Sequence, residues 1–481
     1  MSRPVVSVVI PAYNNAAFLG DAIRSVLDQT FTDLELVVVD DASPEDVRVV
    51  VDRHRDPRIR YVRHERNRGL SAARNTGIRE SSGPIVALLD GDDLFHPEKL
   101  EHHVAFLEAH PDVGVTYNAR FELHHSSAAV RDLWRPPRTV TLEDLVVGFP
   151  FSPSDMVLRR SWAERVGLFD EYYVYVAEDL DLNCRLALAG CRFASVDRAL
   201  NYRRYHAGRR FGNIPWWMEN LQRVLAAVFD HPDCPAPVRA TRARAEATHY
   251  LLWAAIALAQ AADGGTAGDG DLARAYCREA IGRCPDLAAG WPNALSDAMV
   301  SHAISDHTVE HEPLLRGMAA QLPPELAWPA DRREAAVARG WWLRGVREAI
   351  WGREAAAHAA FDRAARLGVR PDEAFLDAAS ARLLDAAQAC GPVAAQAALG
   401  RLAGALRSCA TRAQVRRLEA TYAVNRAFAD YHDGRYAAVP GRVLRAVAHH
   451  PEYLANRGVL SILWRSLARV PRGAATVGSG T

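Results

Sequence analysis

Three carboxylates follow an apolar run near residue 90 of this 481-residue chain. Residues 85–89 are five successive apolar residues, which is typical of a strand buried on both faces of a parallel sheet. Asp90, Asp92 and Asp93 come directly after this run, with one glycine among them. In an extended backbone Asp90 and Asp92 share a face, so both carboxylates can reach one cation. Mg²⁺ prefers such oxygen ligands, although a polar loop that caps the next helix explains the same acids.

The sheet that positions these acids is predicted by the first 200 or so residues. Residues 5–10 and 34–39 are apolar and rich in β-branched side chains, and apolar residues at helical spacing lie between them. Strands that alternate with helices predict a parallel α/β sheet, in which ligands bind beyond the carboxyl ends of the strands. Polar residues follow three of the predicted strands at that edge, namely Tyr13, Asn14, Asp40, Asp41 and Asp90. We therefore expect one functional site there.

The composition excludes several classes of partner. Lys plus Arg and Asp plus Glu both number 58, so the net charge of zero gives no positive footprint for nucleic acid. No apolar run approaches the roughly 20 residues that cross a bilayer, and the N-terminus lacks the layout of a signal peptide. The seven cysteines form no CxxC pair, which favours reduced thiols. We expect a cytoplasmic protein without a transmembrane segment, with peripheral attachment to the inner membrane face as an option.

Several short motifs, in this order and spacing, resemble family 2 glycosyltransferases of the GT-A fold. The matching segments are residues 7–14, 25–30, 39–43, 67–77, 89–93 and 96–100. The resemblance covers about the first 210 residues. It implies an α/β GT-A domain with a Rossmann-like, mostly parallel sheet. It also implies transfer of a sugar from a nucleotide diphosphate sugar, with UDP-sugars favoured.

The resemblance assigns donor binding to Pro11, Tyr13, Asn14, Asp40, Asp41, Arg74 and Asp90. Pro11 and Tyr13 would line the base pocket, where an aromatic ring offers a stacking surface. Asp41, with Asp40 beside it, would accept charge-assisted hydrogen bonds from the base or ribose. A helix N-cap is the structural alternative for Asp41. Arg74 would face the diphosphate or form a structural ion pair, and both interpretations remain open.

The metal and the catalytic base are also implied by the resemblance. Mg²⁺ or Mn²⁺ would be held by Asp92, Asp90, Asp93 and His206, the last at the end of a Tyr-Arg-Arg-Tyr-His string. Asp179 matches the general base of inverting members, and Glu178 would orient the acceptor or donor sugar. Apolar spacing from Leu182 onward predicts a helix here that Gly190 ends. Acids in a first helical turn are also favoured by the helix dipole alone, which is the simpler explanation.

Alanine, arginine and leucine dominate after residue 215, and β-branched runs vanish, which predicts an all-helical region. Three segments resemble second helices of tetratricopeptide-like repeats, and they run to Pro285, Pro371 and Pro451. A plain helical bundle is the alternative. We predict a GT-A domain at residues 1–215, a tetratricopeptide-like domain at 216–472 and a disordered tail at 473–481. The terminal helix near residues 454–470 is either the cap of the helical stack or a membrane-surface helix.

These expectations combine into one hypothesis and one rival. The hypothesis is an inverting, metal-dependent hexosyltransferase that adds single sugars, because the Gln-x-x-Arg-Trp motif of processive synthases is missing. Residues 124–150 would form loops on the acceptor side, and the loops within 124–160 together with the surroundings of Glu178 would select the sugar. The acceptor is a glycan, a lipid-linked molecule or a protein in bacterial glycan, polysaccharide or glycoconjugate synthesis. The helical region would bind a protein partner or the acceptor. The rival is a nucleotide-binding helical-repeat scaffold whose transferase domain is inactive.

Overall fold

The computed structural model describes residues 3–124, 129–205, 213–264, 267–305 and 310–469. The chain divides into two compact units, Met1–Ala327 and Trp328–Thr481. The first unit contains the sheet and about two thirds of the described α-helices, and the described residues of the second unit contain helices and turns only.

One nine-stranded sheet forms the centre of the first unit. Its strands are β1 (Val6–Ala12), β2 (Leu34–Asp40), β3 (Ile59–Arg63), β4 (Ile85–Leu88), β5 (Leu94–Phe95), β6 (Val113–His124), β7 (Val130–Trp134), β8 (Met156–Arg159) and β9 (Arg192–Tyr205). Their order is β3-β2-β1-β4-β8-β6-β9-β5, and β7 pairs with β6. The pairs among β3, β2, β1 and β4 are parallel, as is β6 with β9, whereas β8, β7 and β5 pair antiparallel. The sheet is therefore mixed, and its parallel half carries the predicted site.

Seven helices accompany the sheet in the described residues before 206. They are α1 (Ala16–Leu27), α2 (Val47–Asp52), α3 (Leu70–Glu80), α4 (Lys99–Ala109), α5 (Leu142–Val147), α6 (Arg160–Arg165) and α7 (Glu178–Leu188), with a 3-10 turn at Pro153–Asp155. Val8 and Val38 share a core with Ile23 of α1 on one face, and Val37 packs with Ala73 of α3 on the other. Because both faces are covered, the strands read as continuous apolar runs rather than alternating ones.

The first strand continues through Pro11, beyond the apolar run of residues 5–10 that predicted it. Proline lacks an N–H and normally interrupts a ladder. Pairing of β1 with β4 ends at Val9 and Leu88, although Pro11 still lies beside Val39 of β2. The side of Pro11 that lacks a donor therefore has no ladder partner to lose, so the strand reaches Ala12.

The rest of the first unit is helical. Its helices are α8 (Ile214–Phe229), α9 (Ala236–Ala240), α10 (Arg242–Ala262), α11 (Ala267–Arg283), α12 (Ala294–Ser305) and α13 (His311–Ala320), with 3-10 turns at Pro285–Ala288 and Pro324–Leu326. These helices pack with the α/β part as one unit. His249 of α10, for example, is buried and its Nε2 lies 2.9 Å from the Val146 carbonyl oxygen of α5.

The second unit contains α14 (Ala330–Ile350), α15 (Glu354–Arg366), α16 (Glu373–Cys390), α17 (Pro392–Leu406), α18 (Arg412–His432), α19 (Val439–His449) and α20 (Arg457–Leu467), with 3-10 turns at Tyr436–Ala438 and Pro451–Ala455. The three segments that resemble repeat helices are α11, α15 and α19, and each packs against the helix before it. Such helical hairpins are what a repeat of this kind requires. Its tetratricopeptide-like character stays a prediction.

The predicted fold class is confirmed, because an α/β GT-A-like part precedes an all-helical region. The change to all-helical structure comes at α8, close to the predicted boundary at residue 215. The division into compact units comes later, after Ala327, so α8 to α13 belong with the sheet. Among the described helices, none combines the length and apolarity that a bilayer crossing needs. The predicted tail at 473–481 lies outside the described residues.

Candidate active site

The polar residues that follow β1, β2 and β4 lie at one edge of the sheet, as the parallel topology predicts. These three strands are neighbours in the order β2-β1-β4, so their carboxyl ends lie side by side. Tyr13 is 44% exposed there, and Asn14 adopts a left-handed conformation that turns the chain away from the sheet. The start of α7, which carries Glu178 and Asp179, is joined to this edge by a buried arginine.

Arg74 on α3 is that arginine, and it is 1% exposed. Its Nη2 donates to Asp90 Oδ1 at 2.8 Å, and its Nη1 donates to Glu178 Oε1 at 2.7 Å. The guanidinium also lies 5.3 Å from the ring centre of Phe169, within cation–π range. Burial alone would lower the pKa of Arg74, but the two carboxylates outweigh it and raise that pKa above its usual value. A charged arginine thus connects the loop after β4 with the first turn of α7.

This geometry decides between the two interpretations of Arg74. Both of its terminal nitrogens are directed at protein carboxylates, so the ion pair is favoured over direct contact with a diphosphate. Glu178 is likewise held by Arg74 and is buried. Glu178 therefore holds Arg74 in this structure, and its predicted role in orienting a sugar stays a prediction.

Asp179 differs from Glu178 in its exposure and in its hydrogen-bond partner. It is partly exposed, and its Oδ1 accepts a hydrogen bond from the Leu180 backbone N–H at 2.8 Å. Its desolvated surroundings and the adjacent Glu178 charge raise the pKa of the Asp179 carboxyl to about 7, against the opposing effect of Arg74. A carboxyl with a pKa near neutrality is suited to accept a proton as a general base.

Asp181, two residues further along α7, has a structural role. Its carboxylate pairs with Arg185 one turn later, and Arg185 also donates to the Leu168 carbonyl at 2.8 Å. On the other side, the Asn75 side chain of α3 exchanges two hydrogen bonds of 2.9 Å with the Phe169 backbone. The turn at residues 167–171 is therefore fixed to both helices, which positions the start of α7.

The two carboxylates after β2 accept hydrogen bonds from donors within the protein. Asp40 is fully buried and accepts hydrogen bonds from Ser43 N at 2.7 Å and Tyr61 Oη at 2.7 Å, and it pairs with Arg63. Asp41 is 2% exposed. Its carboxylate accepts from the backbone N–H groups of Arg68 at 2.8 Å and Gly69 at 2.7 Å, and its Oδ1 lies 2.7 Å from His64 Nδ1.

These contacts exclude the N-cap alternative for Asp41, and its contact with the base or ribose stays a prediction. The N-cap of the following helix is Asp46, whose side chain accepts from Val49 N at 3.2 Å, so Asp41 is not that cap. A carboxylate accepts about four hydrogen bonds, and three of those of Asp41 are already used inside the protein. Asp41 therefore shapes the loop at residues 64–69, and Asp40 anchors the loop after β2.

The three acids of the loop after β4 differ in their burial and in their hydrogen-bond partners. Asp93 is 1% exposed; its Oδ2 accepts from Ser154 Oγ at 2.8 Å and its Oδ1 accepts from Arg204 N at 3.1 Å. Ser154 Oγ also accepts from the Asp90 backbone N–H at 3.1 Å. Gly91 has no room for a side chain, because a Cβ there would lie 2.2 Å from Asn15 Nδ2. Asp93 thus fixes the loop to Ser154 and to β9, and its role as a metal ligand stays a prediction.

Asp92 and Asp90 remain as candidate ligands for a divalent cation. Asp92 is partly exposed, and the Asp90 side chain is 23% exposed beside Arg74. Across the described ranges, no group of three or more His, Cys, Asp or Glu side chains is arranged to hold a metal. Mg²⁺ usually binds through one or two carboxylates together with substrate phosphates, so two acids fit a site that the donor completes.

His206 lies outside the described residues. Its neighbour on β9, Arg204, contacts the acid loop directly: besides the bond from its backbone to Asp93, its Nε donates to the Asp92 carbonyl at 3.2 Å. The end of β9 is therefore anchored at the loop after β4.

Sequence reasoning missed three residues of this site. Ser154 bridges Asp90 and Asp93, and Arg204 anchors their loop to β9. Tyr175 is 40% exposed, its hydroxyl donates to Asn67 Oδ1 at 2.8 Å, and burial together with nearby Asp41 and Tyr13 raises its pKa. Tyr175 thus places a second exposed ring near Tyr13. The aromatic run just before Glu178 was the one available signal for it.

A family model described as glycosyl transferase family 2 matches residues 7–167. An uncharacterized glycosyltransferase of Rickettsia prowazekii (strain Madrid E) is 30% identical over 185 residues, which is 37% of this chain and 57% of the relative. The provisionally named teichuronic acid biosynthesis glycosyltransferase TuaG of Bacillus subtilis (strain 168) is 37% identical over 107 residues, or 22% of this chain and 42% of that protein. In five Rickettsia relatives, the region that matches this chain makes up between 15% and 57% of the length of the relative.

Among solved structures, the mannosyltransferase PcManGT from Pyrobaculum calidifontis, in complex with GDP-Man and Mn²⁺, is similar with a TM-score of 0.41. It is 23% identical, and the alignment covers 67% of this chain and 87% of that one. The family model and the sequence relatives support assignment of the N-terminal part of the chain to glycosyl transferase family 2.

Proposed function

We propose that the protein is an inverting, metal-dependent glycosyltransferase that moves a sugar from a nucleotide diphosphate sugar to an acceptor hydroxyl. The observation that carries this proposal is the bridge made by Arg74 between Asp90 and Glu178. The bridge brings the acid loop after β4 next to Asp179, whose pKa is raised to about 7 by burial and by the Glu178 charge. A charge-binding loop and a proton acceptor are the two parts that such a transfer needs.

The nucleotide is proposed to bind over β1 and β2. Tyr13 and Tyr175 offer exposed aromatic rings for stacking, and Pro11 and Asn14 border the same edge. Asp40 and Asp41 act there indirectly, by holding the loops that surround the base. Uracil is the favoured base by family resemblance.

The donor diphosphate is proposed to lie at the loop after β4, where Asp92 with Asp90 would hold Mg²⁺ or Mn²⁺. Such a cation, when bound, stabilises the negative charge that develops on the leaving nucleoside diphosphate. Arg74 keeps Asp90 in place, and Ser154 and Arg204 fix the backbone of the loop. His206 is a further proposed ligand, since Arg204, two residues before it in the sequence, contacts this loop.

Asp179 is proposed to accept the proton of the acceptor hydroxyl. The acceptor oxygen then bonds to the anomeric carbon from the face opposite the diphosphate, and the bond between that carbon and the diphosphate oxygen breaks. The proton stays on Asp179 until solvent removes it, and the sugar leaves with inverted configuration. Only an ionised Asp179 can take part, so the group must be deprotonated before each transfer.

The acceptor is proposed to approach from residues 124–160. Trp134 is 44% exposed there, its Nε1 donates to the Pro150 carbonyl at 3.2 Å, and Arg120 lies 5.4 Å from its ring centre. A ring held in this way is a ready surface for a sugar. We propose addition of single sugars to a glycan, lipid-linked or protein acceptor in bacterial glycan, polysaccharide or glycoconjugate synthesis, in the cytoplasm.

The proposal is tested with a panel of UDP- and GDP-sugars on the purified protein, with Mn²⁺ or with a chelator. Binding and hydrolysis of each donor are measured for the wild type, Asp92→Ala and Asp33→Asn. Asp33 is an exposed acid of the same unit and serves as the matched control. We expect metal-dependent binding of one donor, retained in Asp33→Asn and lost in Asp92→Ala. Donor binding without any turnover in the wild type would favour the inactive scaffold instead.

A further inference from the structure

The last described helix, α20, has apolar residues on two faces. It begins after Asn456, whose side chain accepts hydrogen bonds from the backbone N–H groups of Gly458 and Val459. Val459 and Ile462 are buried against the second unit. Trp464 and Leu467 are 68% and 48% exposed, and their spacing places them together on a different face of the helix. One face therefore packs, and the other presents a tryptophan and a leucine to solvent.

More exposed apolar side chains lie close by in the sequence. Leu444 on α19 is 65% exposed, and Leu454 in the following 3-10 turn is 57% exposed. Among the described residues of the second unit, the large apolar side chains that are strongly exposed are these four and Val393. Four of the five thus fall within residues 444–467. Isolated exposed leucines are ordinary, but such a concentration marks an interaction surface.

The same segment is strongly basic. Residues 439–469 contain five arginines and one acid, Glu452. Arg445, Arg457 and Arg465 are exposed, and none of them forms an ion pair within the part of the chain that the structure describes. We call the four exposed apolar residues and these three arginines the terminal patch.

We propose that the terminal patch docks on the surface of an anionic lipid bilayer, with α20 lying in the interface. A helix of 11 residues is about 16 Å long, which is too short to cross the roughly 30 Å of hydrocarbon. A partly apolar helix with tryptophan and arginine suits the interface, where the ring enters the headgroup region and the arginines meet lipid phosphates. The inference goes beyond the proposed sugar transfer and does not depend on it.

The charge of the patch argues against a second copy of this chain as its occupant. A symmetric contact between two copies would bring two positively charged patches together, which is electrostatically unfavourable. Excess positive charge is instead complementary to an anionic membrane.

The test is cosedimentation of the full chain with vesicles of equal parts phosphatidylglycerol and phosphatidylcholine, and with vesicles of phosphatidylcholine alone. The variants are Trp464→Ser with Leu467→Ser, and Arg457→Glu with Arg465→Glu. Val393→Ser is the matched control, because Val393 is 83% exposed outside the patch. Circular dichroism melting confirms that each variant is folded.

We expect the wild type and Val393→Ser to bind anionic vesicles. The Trp464/Leu467 variant should lose about tenfold or more in apparent affinity. The arginine variant should lose affinity for anionic vesicles, and high salt should reproduce that loss in the wild type. The proposal is overturned if the wild type binds neither vesicle, or if the Trp464/Leu467 variant binds as well as the control. It is also overturned if the wild type is a dimer that this variant converts to a monomer without any vesicle binding.

Discussion

The two acid loops at the edge of the sheet look alike in sequence and differ in structure. Asp40 and Asp41 follow β2, and both are buried with their oxygens bound by protein donors. The loop after β4 buries Asp93 in the same way, but it leaves Asp90 and Asp92 partly exposed. Both loops follow neighbouring strands of one parallel sheet, so position alone does not separate them.

The difference lies in the donors that surround each loop. The acids after β2 meet the backbone N–H groups of residues 68 and 69 and the side chains of Tyr61, Arg63 and His64. In the loop after β4, Asp93 accepts from Ser154 and Arg204, and Asp90 pairs with Arg74, which Glu178 shares. The charge of Asp40 is balanced by Arg63, whereas Asp90 and Glu178 share one arginine and keep excess negative charge. Excess charge near an exposed surface is what a cation and a proton acceptor require.

The largest effect is expected at Asp179. Asp179→Asn removes the proton acceptor but keeps the shape of the side chain, so kcat should fall by about 100- to 10,000-fold. Donor binding should remain within a few-fold of the wild type, because the variant leaves Asp92 in place. Steady-state kinetics and calorimetric donor binding measure the two effects. Asp33→Asn is the control, and a similar loss of kcat in both variants would show that Asp179 has no special role.

The pH profile of the wild type gives a second measurement of the same residue. Burial and Glu178 raise the pKa of Asp179 to about 7, so kcat/KM should fall as the pH falls through that value. An activity that stays constant between about pH 8 and pH 5 would contradict the assignment of Asp179 as the base.

Arg74→Met should cause the next largest effect, on stability. It leaves Asp90 and Glu178 without their shared partner, and loss of one member of a buried ion pair costs about 3–5 kcal/mol of unfolding free energy. Arg79→Met on the same helix is the matched control, because its ion pair with Glu171 is exposed and should contribute less than about 1 kcal/mol. Chemical denaturation measures both values. Equal losses in the two variants would contradict the bridging role of Arg74.

Paired variants of the two loops test the comparison itself. Asp41→Asn replaces an acceptor oxygen by a donor beside the N–H groups of residues 68 and 69, so it should lower the unfolding free energy by about 1–3 kcal/mol. Asp92→Asn should change stability by less than about 0.5 kcal/mol and weaken metal-dependent donor binding. Thermal melting and donor titration of both variants give the result. A stable Asp41→Asn protein that has lost donor binding would reverse the assignment of the loops.

A buried histidine away from both loops should affect stability alone. Burial lowers the pKa of His249 to about 4, from an ordinary value of about 6.5. Between these values the unfolded chain binds more protons than the folded one, so stability falls as the pH falls. The loss should be on the order of 1 kcal/mol by about pH 5.5. His249→Gln should remove this part of the slope in denaturation series, and an identical slope in both proteins would count against it.

Much of the fold could be predicted because its signals are local. Apolar runs gave the strands, and their alternation with helices gave the parallel edge where Tyr13, Asp41 and Asp90 lie. Gly190, in a left-handed conformation, ends α7 where predicted. The ends of the strands were harder to predict from the sequence, because the extension of β1 through Pro11 depends on where its pairing with β4 ends.

The sequence did not predict which acids are buried in hydrogen bonds and which stay partly exposed, because this depends on partners that are far away in the sequence. Arg74 reaches Asp90 across 16 positions and Glu178 across 104, and Ser154 reaches Asp93 across 61. No spacing rule relates such positions. The amphipathic pattern of α20 could be recognised in the sequence. The helices packed around α20 determine which of its apolar residues are buried and which are exposed, and the pattern does not show this.

One measurement decides whether the loop after β4 is the functional one. A crystal structure of the protein with Mn²⁺ and the donor found in the panel would locate the cation by its anomalous scattering. The account predicts one manganese peak beside the Asp92 carboxylate, with Arg74 still bound to Asp90 and Glu178 and with Asp179 facing the sugar. A manganese peak bound to Asp40 or Asp41, with none at Asp92, would contradict it.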